Sequence, residues 1–256
     1  MLKGIVKFNV VRTLGPALEE NRWYMDVHKK KFSVEGRVFY SREKKWIYVN
    51  PKVSDAGCTV YQIIVDKLNF IPQACLSCWK VVVKPRTLIE LMKLYAFQKE
   101  FTRDYMGKDR FCKCGIEERP WVNYNYGGYF YCDGKDQGLE RWEQVRKAID
   151  KQINPDIPVI LKRYCTEFEL RLGPSDKYER PDWADAFEEK IFEFIDMESL
   201  GKNELQPPEL VEYCIGQWIE FAWDRGDPTA IYFNDNQPLY EPVVTYHPKP
   251  EIIKEV

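Results

Sequence analysis

The stretch Tyr126-Gly127-Gly128-Tyr129-Phe130-Tyr131-Cys132 decides the fold class. Its run of aromatic side chains favours an extended strand, and the paired glycines allow a bulge or a close backbone approach. Asp136, four residues on, is placed to cap a helix that carries Leu139, Trp142, Val145 and Ile149 on one face. Asn154-Pro155-Asp156 then turns the chain into Pro158-Val159-Ile160-Leu161, which reads as a second strand. A strand, a helix and a strand in this order form a βαβ-like block with a parallel pair and a right-handed crossover.

Working upstream, Cys75-Leu76-Ser77-Cys78 leads into Trp79-Lys80-Val81-Val82-Val83, a strand closed by Pro85. Thr87-Leu88-Ile89-Glu90 has the spacing of a capping box, and Leu88, Leu91, Met92 and Tyr95 continue at helical spacing. Cys112-Lys113-Cys114-Gly115 reads as a tight turn. Residues 1–50 read as strands at 3–10, 22–27, 32–40 and 46–49, forming an N-terminal antiparallel sheet. Downstream, Trp183, Phe187, Ile191, Phe194 and Ile195 share one helical face. Pro207-Pro208 opens another helix with Val211, Cys214, Ile215, Trp218 and Phe221 apolar. Residues 236–256, with four prolines, read as an extended tail.

The expected class is therefore α+β, in three parts: a β-rich basic region at 1–70, a cysteine metal module with an inserted helix at 71–135, and a βα block with C-terminal helices and tail at 136–256. The three can share one core, because no flexible linker separates them. No apolar run approaches the roughly 18 residues of a membrane span, so no membrane partner is expected. The charged start, Met1 to Lys7, does not suit a signal peptide, and there is no Asn-x-Ser/Thr sequon, so a cytoplasmic setting is expected.

Four of the eight cysteines, Cys75, Cys78, Cys112 and Cys114, form Cys-x2-Cys and Cys-x-Cys pairs. Closely spaced thiols in a chain with two histidines point to a thiolate metal site, with Cys132 or Cys165 as alternates. Zinc is the expected metal, and an iron–sulfur cluster is the alternative. Ordinary buried thiols would show the same spacing.

The net charge of −2 hides a division. Residues 1–119 carry 23 Lys and Arg against 13 Asp and Glu, and the remainder carries 15 against 27. Basic density peaks at Lys29, Lys30, Lys31, Arg42, Lys44 and Lys45, interleaved with aromatics including Trp46. Cations that neutralise phosphates beside rings that stack on bases suit nucleic acid. The acidic half could instead dock a basic protein, or the halves could attract each other.

The segment Arg163 to Arg171 alternates, so as a strand it would place Cys165, Glu167 and Glu169 on one face as candidate catalytic groups. There is no Gly-x-Gly-x-x-Gly or Gly-x-Ser-x-Gly motif, no phosphate loop and no His-Glu-x-x-His helix, which removes the nucleotide and hydrolase classes built on them. What remains is a metal-stabilised nucleic-acid-binding or processing accessory protein. A metal-dependent enzyme near Cys165 and an assembly protein are the alternatives.

Overall fold

The computed structural model describes residues 9–34, 45–49, 55–103, 112–200 and 205–237. In chain order the elements are α1 (Val10–Glu20), β1 (Trp23–Asp26), β2 (Lys31–Val34), β3 (Trp46–Val49), α2 (Asp55–Leu68), α3 (Gln73–Leu76), β4 (Cys78–Val83) and α4 (Leu88–Phe101). They continue with β5 (Cys112–Ile116), β6 (Tyr126–Asp133), α5 (Gly134–Gln152), β7 (Val159–Arg163), α6 (Thr166–Leu172), α7 (Ala184–Phe192) and α8 (Pro208–Asp224). The architecture is α+β: β1 and β2 make a two-stranded N-terminal sheet, and five strands make a larger sheet ordered β3-β5-β6-β4-β7.

Every neighbouring pair in the larger sheet is antiparallel. β6 and β7 both run antiparallel to β4, so they are parallel to each other, but β4 lies between them. The βαβ-like block is thus split. The expected side-by-side parallel pair is replaced by two antiparallel ladders, with Val81 opposite Phe130 on one side and Leu161 on the other.

Alternation along the strands sorts the side chains into two layers. Ile47, Val81, Val83, Cys112, Cys114, Ile116, Tyr126 and Phe130 face the helices and pack with Leu88, Leu91 and Leu94 of α4, Val145 and Ile149 of α5, and Trp218 and Phe221 of α8. Each fully buried side chain of this size contributes about 1.5–3 kcal/mol. The register that puts Val81 and Phe130 on that layer puts Trp46, Tyr48, Lys80, Val82, Lys113, Tyr129, Tyr131 and Lys162 on the other. A second core gathers α1, α2, α7 and the small sheet around Leu14, Leu18, Trp23, Phe32, Ile64, Phe70 and Ile191.

Local signals explain several boundaries. The Thr87 hydroxyl accepts from the Glu90 N–H at 3.3 Å, as the capping spacing requires. The reciprocal bond shifts by one residue: the Glu90 carboxylate accepts from the Arg86 N–H at 2.7 Å. Gly128 is placed where a Cβ would come within 2.4 Å of Leu94, so its close approach is to a helix side chain. Residues 3–8 and 35–40 of the expected N-terminal strands lie outside the described residues. Val10, expected at a strand end, instead begins α1, whose Asn9 cap accepts from the Arg12 N–H at 2.9 Å.

Two expectations are corrected outright. Cys112 to Gly115 is not a turn but part of β5, an inner strand, because Cys112 and Cys114 are buried and Gly115 lets the Lys45 carbonyl of the β3 side approach. Residues 164–170 do not continue the strand. Tyr164 takes φ 31°, and α6 follows with Glu167 and Glu169 in its first turn. The alternating reading failed because Tyr164, Phe168 and Leu172 are also spaced by four, and acidic residues are favoured at a helix N-terminus.

Candidate functional site

The layer of the large sheet away from α4, α5 and α8 forms the floor of a cavity of about 730 Å³. Its wall is the 117–124 segment after β5, and Cys165 and Thr166 at the start of α6 also line it. Trp46, Val82 and Tyr129 of the floor form an apolar cluster with the buried Tyr48, with Tyr131 packed against it. Among the described residues six cations line the space: Lys45, Lys80, Lys84, Lys113, Arg119 and Lys162.

These cations divide into two groups by what they touch. Arg119 donates to Glu117 at 2.6 Å through Nε and to Glu167 at 2.8 Å through Nη1. It also donates to the Tyr129 hydroxyl at 3.0 Å, which itself donates to Glu117 at 2.9 Å. Lys45 pairs with Glu118, and Lys162 with Glu169. Among the described residues, Lys80, Lys84 and Lys113 make no carboxylate pair and lie over rings instead. Lys113 Nζ is 4.8 Å from the Trp46 ring centroid and 5.2 Å from that of Tyr48, Lys84 is 4.7 Å from Tyr124, and Lys80 is 5.5 Å from Tyr131.

Burial sets the protonation states here. It pushes the Tyr129 and Tyr131 phenols up, so both keep their protons. It also pushes Glu167 up, but the bond from Arg119 outweighs it and the carboxylate stays below its usual range. Burial, and then the charge of Lys80, lower Lys162 to about 8. The charge of the Glu167 carboxylate opposes that shift.

The sequence candidates separate across the fold. Lys29, Lys30 and Lys31 lie at the β1–β2 hairpin, with Lys29 paired to Asp196 at 2.8 Å, and not at the cavity. Arg42 and Lys44 lie outside the described residues. Lys45 and Trp46 do line the cavity. Cys165, Glu167 and Glu169 sit at a helix start instead of on a strand face, each beside a cation, and of the three Cys165 lines the cavity, its Sγ 3.7 Å from Lys80 Nζ.

The four cysteines expected as one metal set are not brought together. Cys112 and Cys114 face the helices, where Cys112 Sγ is 3.0 Å from the Thr102 hydroxyl, while Cys78 belongs to the opposite layer on β4, two strands away. An even offset in register would be needed to put both pairs on one face, and the ladders set an odd one. The alternate Cys132 also faces the helices, opposite Trp79. Burial pushes Cys112 up to about 12 and Cys114 well above its ordinary value, so these thiols stay protonated. Among the described residues no group of three or more His, Cys, Asp or Glu side chains is drawn up to hold a metal ion. The structure bridges none of the eight cysteines in a disulfide.

Residues missed from the sequence are Lys80, Lys84, Lys113, Lys162, Arg119 and Tyr129. Their signal was the period of two itself: once Val81 and Phe130 are assigned inward, Lys80, Tyr129 and Tyr131 must share the outer layer.

No family model matches the chain, and the comparisons with curated proteins and with solved structures returned no significant match. No helix among the described residues is long and apolar enough to cross a membrane.

Proposed function

We propose that the protein binds single-stranded nucleic acid in the cavity on the open layer of its large sheet. The observation that carries this reading is the trio Lys80, Lys84 and Lys113. Their ammonium groups lie over ring faces and form no salt bridge with a carboxylate among the described residues, in a space floored by Trp46 and Tyr129. Ammonium groups outside salt bridges attract phosphates, and aromatic surfaces receive bases.

The size of the cavity supports single strands over duplex. About 730 Å³ accommodates a nucleotide or two, whereas a duplex needs a long convex or grooved surface. Trp121, on the wall segment and 49% exposed, is placed to stack on a base entering from solvent. The carboxylates Glu117, Glu167 and Glu169 are held in ion pairs with Arg119 and Lys162. Charges tied in this way orient a wall and favour binding over proton transfer.

The test is fluorescence anisotropy of labelled single-stranded DNA and RNA oligonucleotides at low salt, with duplex as the comparison. Expected are saturable binding to a single strand and weakening by about 1–3 kcal/mol in Trp121→Ala, the usual worth of one stacked base. A flat titration for every single-stranded probe at low salt would overturn the proposal.

A further inference from the structure

Lys80 and Lys162 stand directly opposite each other where β4 pairs with β7, and both line the cavity. Like charges placed opposite on neighbouring strands repel, so such a pair costs stability unless negative charge lies beside it. Lys162 is partly relieved, because Glu169 pairs with it and takes one of its three N–H donors. Lys80 has no such relief. It is only 5% exposed, and its cross-strand neighbour on the other side is Tyr131. Its Nζ rests 3.7 Å from Cys165 Sγ and 5.5 Å from the Tyr131 ring centroid. A thiol is a weak acceptor, and among the described residues no carboxylate forms a salt bridge with Lys80. An ammonium buried without a counter-ion is costly, and an anion in the cavity would supply one.

We propose that Lys80 and Lys162 hold the terminal phosphate of a nucleic-acid strand, so that the cavity takes the end of a strand and not its middle. This rests on the single-strand reading above and names the part of the strand that is recognised. Charge favours an end. A phosphodiester inside a strand carries one negative charge, whereas a terminal monoester carries about 1.5–2 at neutral pH, which suits two facing ammonium groups. Depth favours an end as well. Lys80 lies in the floor at 5% exposure, while Trp121 on the wall is 49% exposed. A phosphate in mid-strand has chain leaving on both sides, and both arms would have to turn back out of about 730 Å³. A terminal phosphate needs a single way out.

The other cations of the cavity are placed for different work. Arg119 is held by Glu117 and Glu167, and Lys45 pairs with Glu118. Lys84 and Lys113 lie over Tyr124 and Trp46, where they can meet the rest of a strand's backbone. Thr166, next to Cys165, also lines the cavity and carries a hydroxyl of the kind that donates to phosphate oxygens. Burial and the charge of Lys80 lower Lys162 to about 8, in keeping with two ammonium groups close together. A phosphate bound between them would draw that value back up.

The experiment is fluorescence anisotropy of the full chain at low salt, with one internally labelled single-stranded oligonucleotide prepared in three forms: 5′-phosphate, 3′-phosphate and hydroxyl at both ends. Adenosine 5′- and 3′-monophosphate serve as unlabelled competitors. Expected is binding at least about tenfold tighter with phosphate at one of the two ends than with hydroxyls, the scale of a charge-assisted contact. Lys80→Met should bring that ratio close to one. Lys162→Gln, on the less buried of the two lysines, should do the same and serves should Lys80→Met fail to fold by circular dichroism. Lys84→Ala/Lys113→Ala should weaken every form alike and keep the ratio. Equal affinity for phosphate and hydroxyl ends, or a ratio that survives in the folded Lys80 or Lys162 variant, would overturn this inference and leave single-strand binding standing. A monophosphate that binds as tightly as the phosphorylated oligonucleotide would overturn it in favour of a free nucleotide. A flat titration for all three forms would overturn both readings.

Discussion

Burial and the charge of Lys80 lower Lys162 to about 8, so its charge changes close to physiological pH. Below that value it is an ammonium and attracts phosphate. Above it the amine is neutral and the attraction is gone. Affinity for an oligonucleotide should therefore fall as pH rises from about 7 to 9, and Lys162→Arg, charged throughout, should flatten the profile. A wild-type profile that is already flat over that interval would show that Lys162 does not face the ligand. Gly115 makes a different kind of prediction. A Cβ there would lie 2.1 Å from the Lys45 carbonyl oxygen, which is backbone and cannot swing aside. Gly115→Ala should cost at least about 1–3 kcal/mol in denaturant unfolding, as overpacking does. It should also disturb the β3 edge that carries Trp46 and Tyr48.

At the scale of elements, α4 is anchored at its start by residues far along the chain. The Asp227 carboxylate accepts from the Leu88 N–H at 2.6 Å and from the Tyr126 hydroxyl at 2.8 Å, while the Thr229 hydroxyl accepts from the Ile89 N–H at 3.2 Å. Asp227→Ala leaves two partly buried donors without acceptors. It should lower stability by roughly 2–3 kcal/mol, a fall in Tm of roughly 5–10 °C by thermal melting. Thr87→Ala should cost about 1 kcal/mol, less because Asp227 and Thr229 remain. Sequence showed the Thr87–Glu90 signal because capping is local. It could not show Asp227, whose role depends on a contact more than a hundred residues away. The same limit explains α6: Tyr164, Phe168 and Leu172 satisfy helical spacing while the whole segment alternates, and only the Tyr164 turn settles which period applies. Strands β4, β6 and β7 were legible from their aromatic and β-branched runs. Their order was not, because nothing in a strand's own sequence says that β4 enters between β6 and β7. The candidate site was half legible for the same reason. Trp46, Lys45 and Cys165 were named, but the cavity that joins them exists only once five strands are in register.

For the whole molecule, the contrast between a basic first half and an acidic second half is partly used within the fold. Lys29 with Asp196, Arg86 with Asp156 and Arg119 with Glu167 are ion pairs that cross the division at residue 119. Exposed pairs of this kind contribute little each, about 0–1 kcal/mol. Their larger effect is to leave positive charge concentrated where it is not crossed, on the open sheet layer around Lys80, Lys84 and Lys113. On the proposed reading, that concentration separates this face from an ordinary solvated one. Its most direct measurement is the salt dependence of single-stranded oligonucleotide affinity, compared between the wild type and the Lys84→Ala/Lys113→Ala double variant. Each phosphate contact on a single strand contributes about 0.7 to the slope of log affinity against log salt. Loss of both lysines should reduce the slope by about 1.4 and weaken binding at low salt. An unchanged slope and affinity in the double variant would contradict the placement of nucleic acid in this cavity.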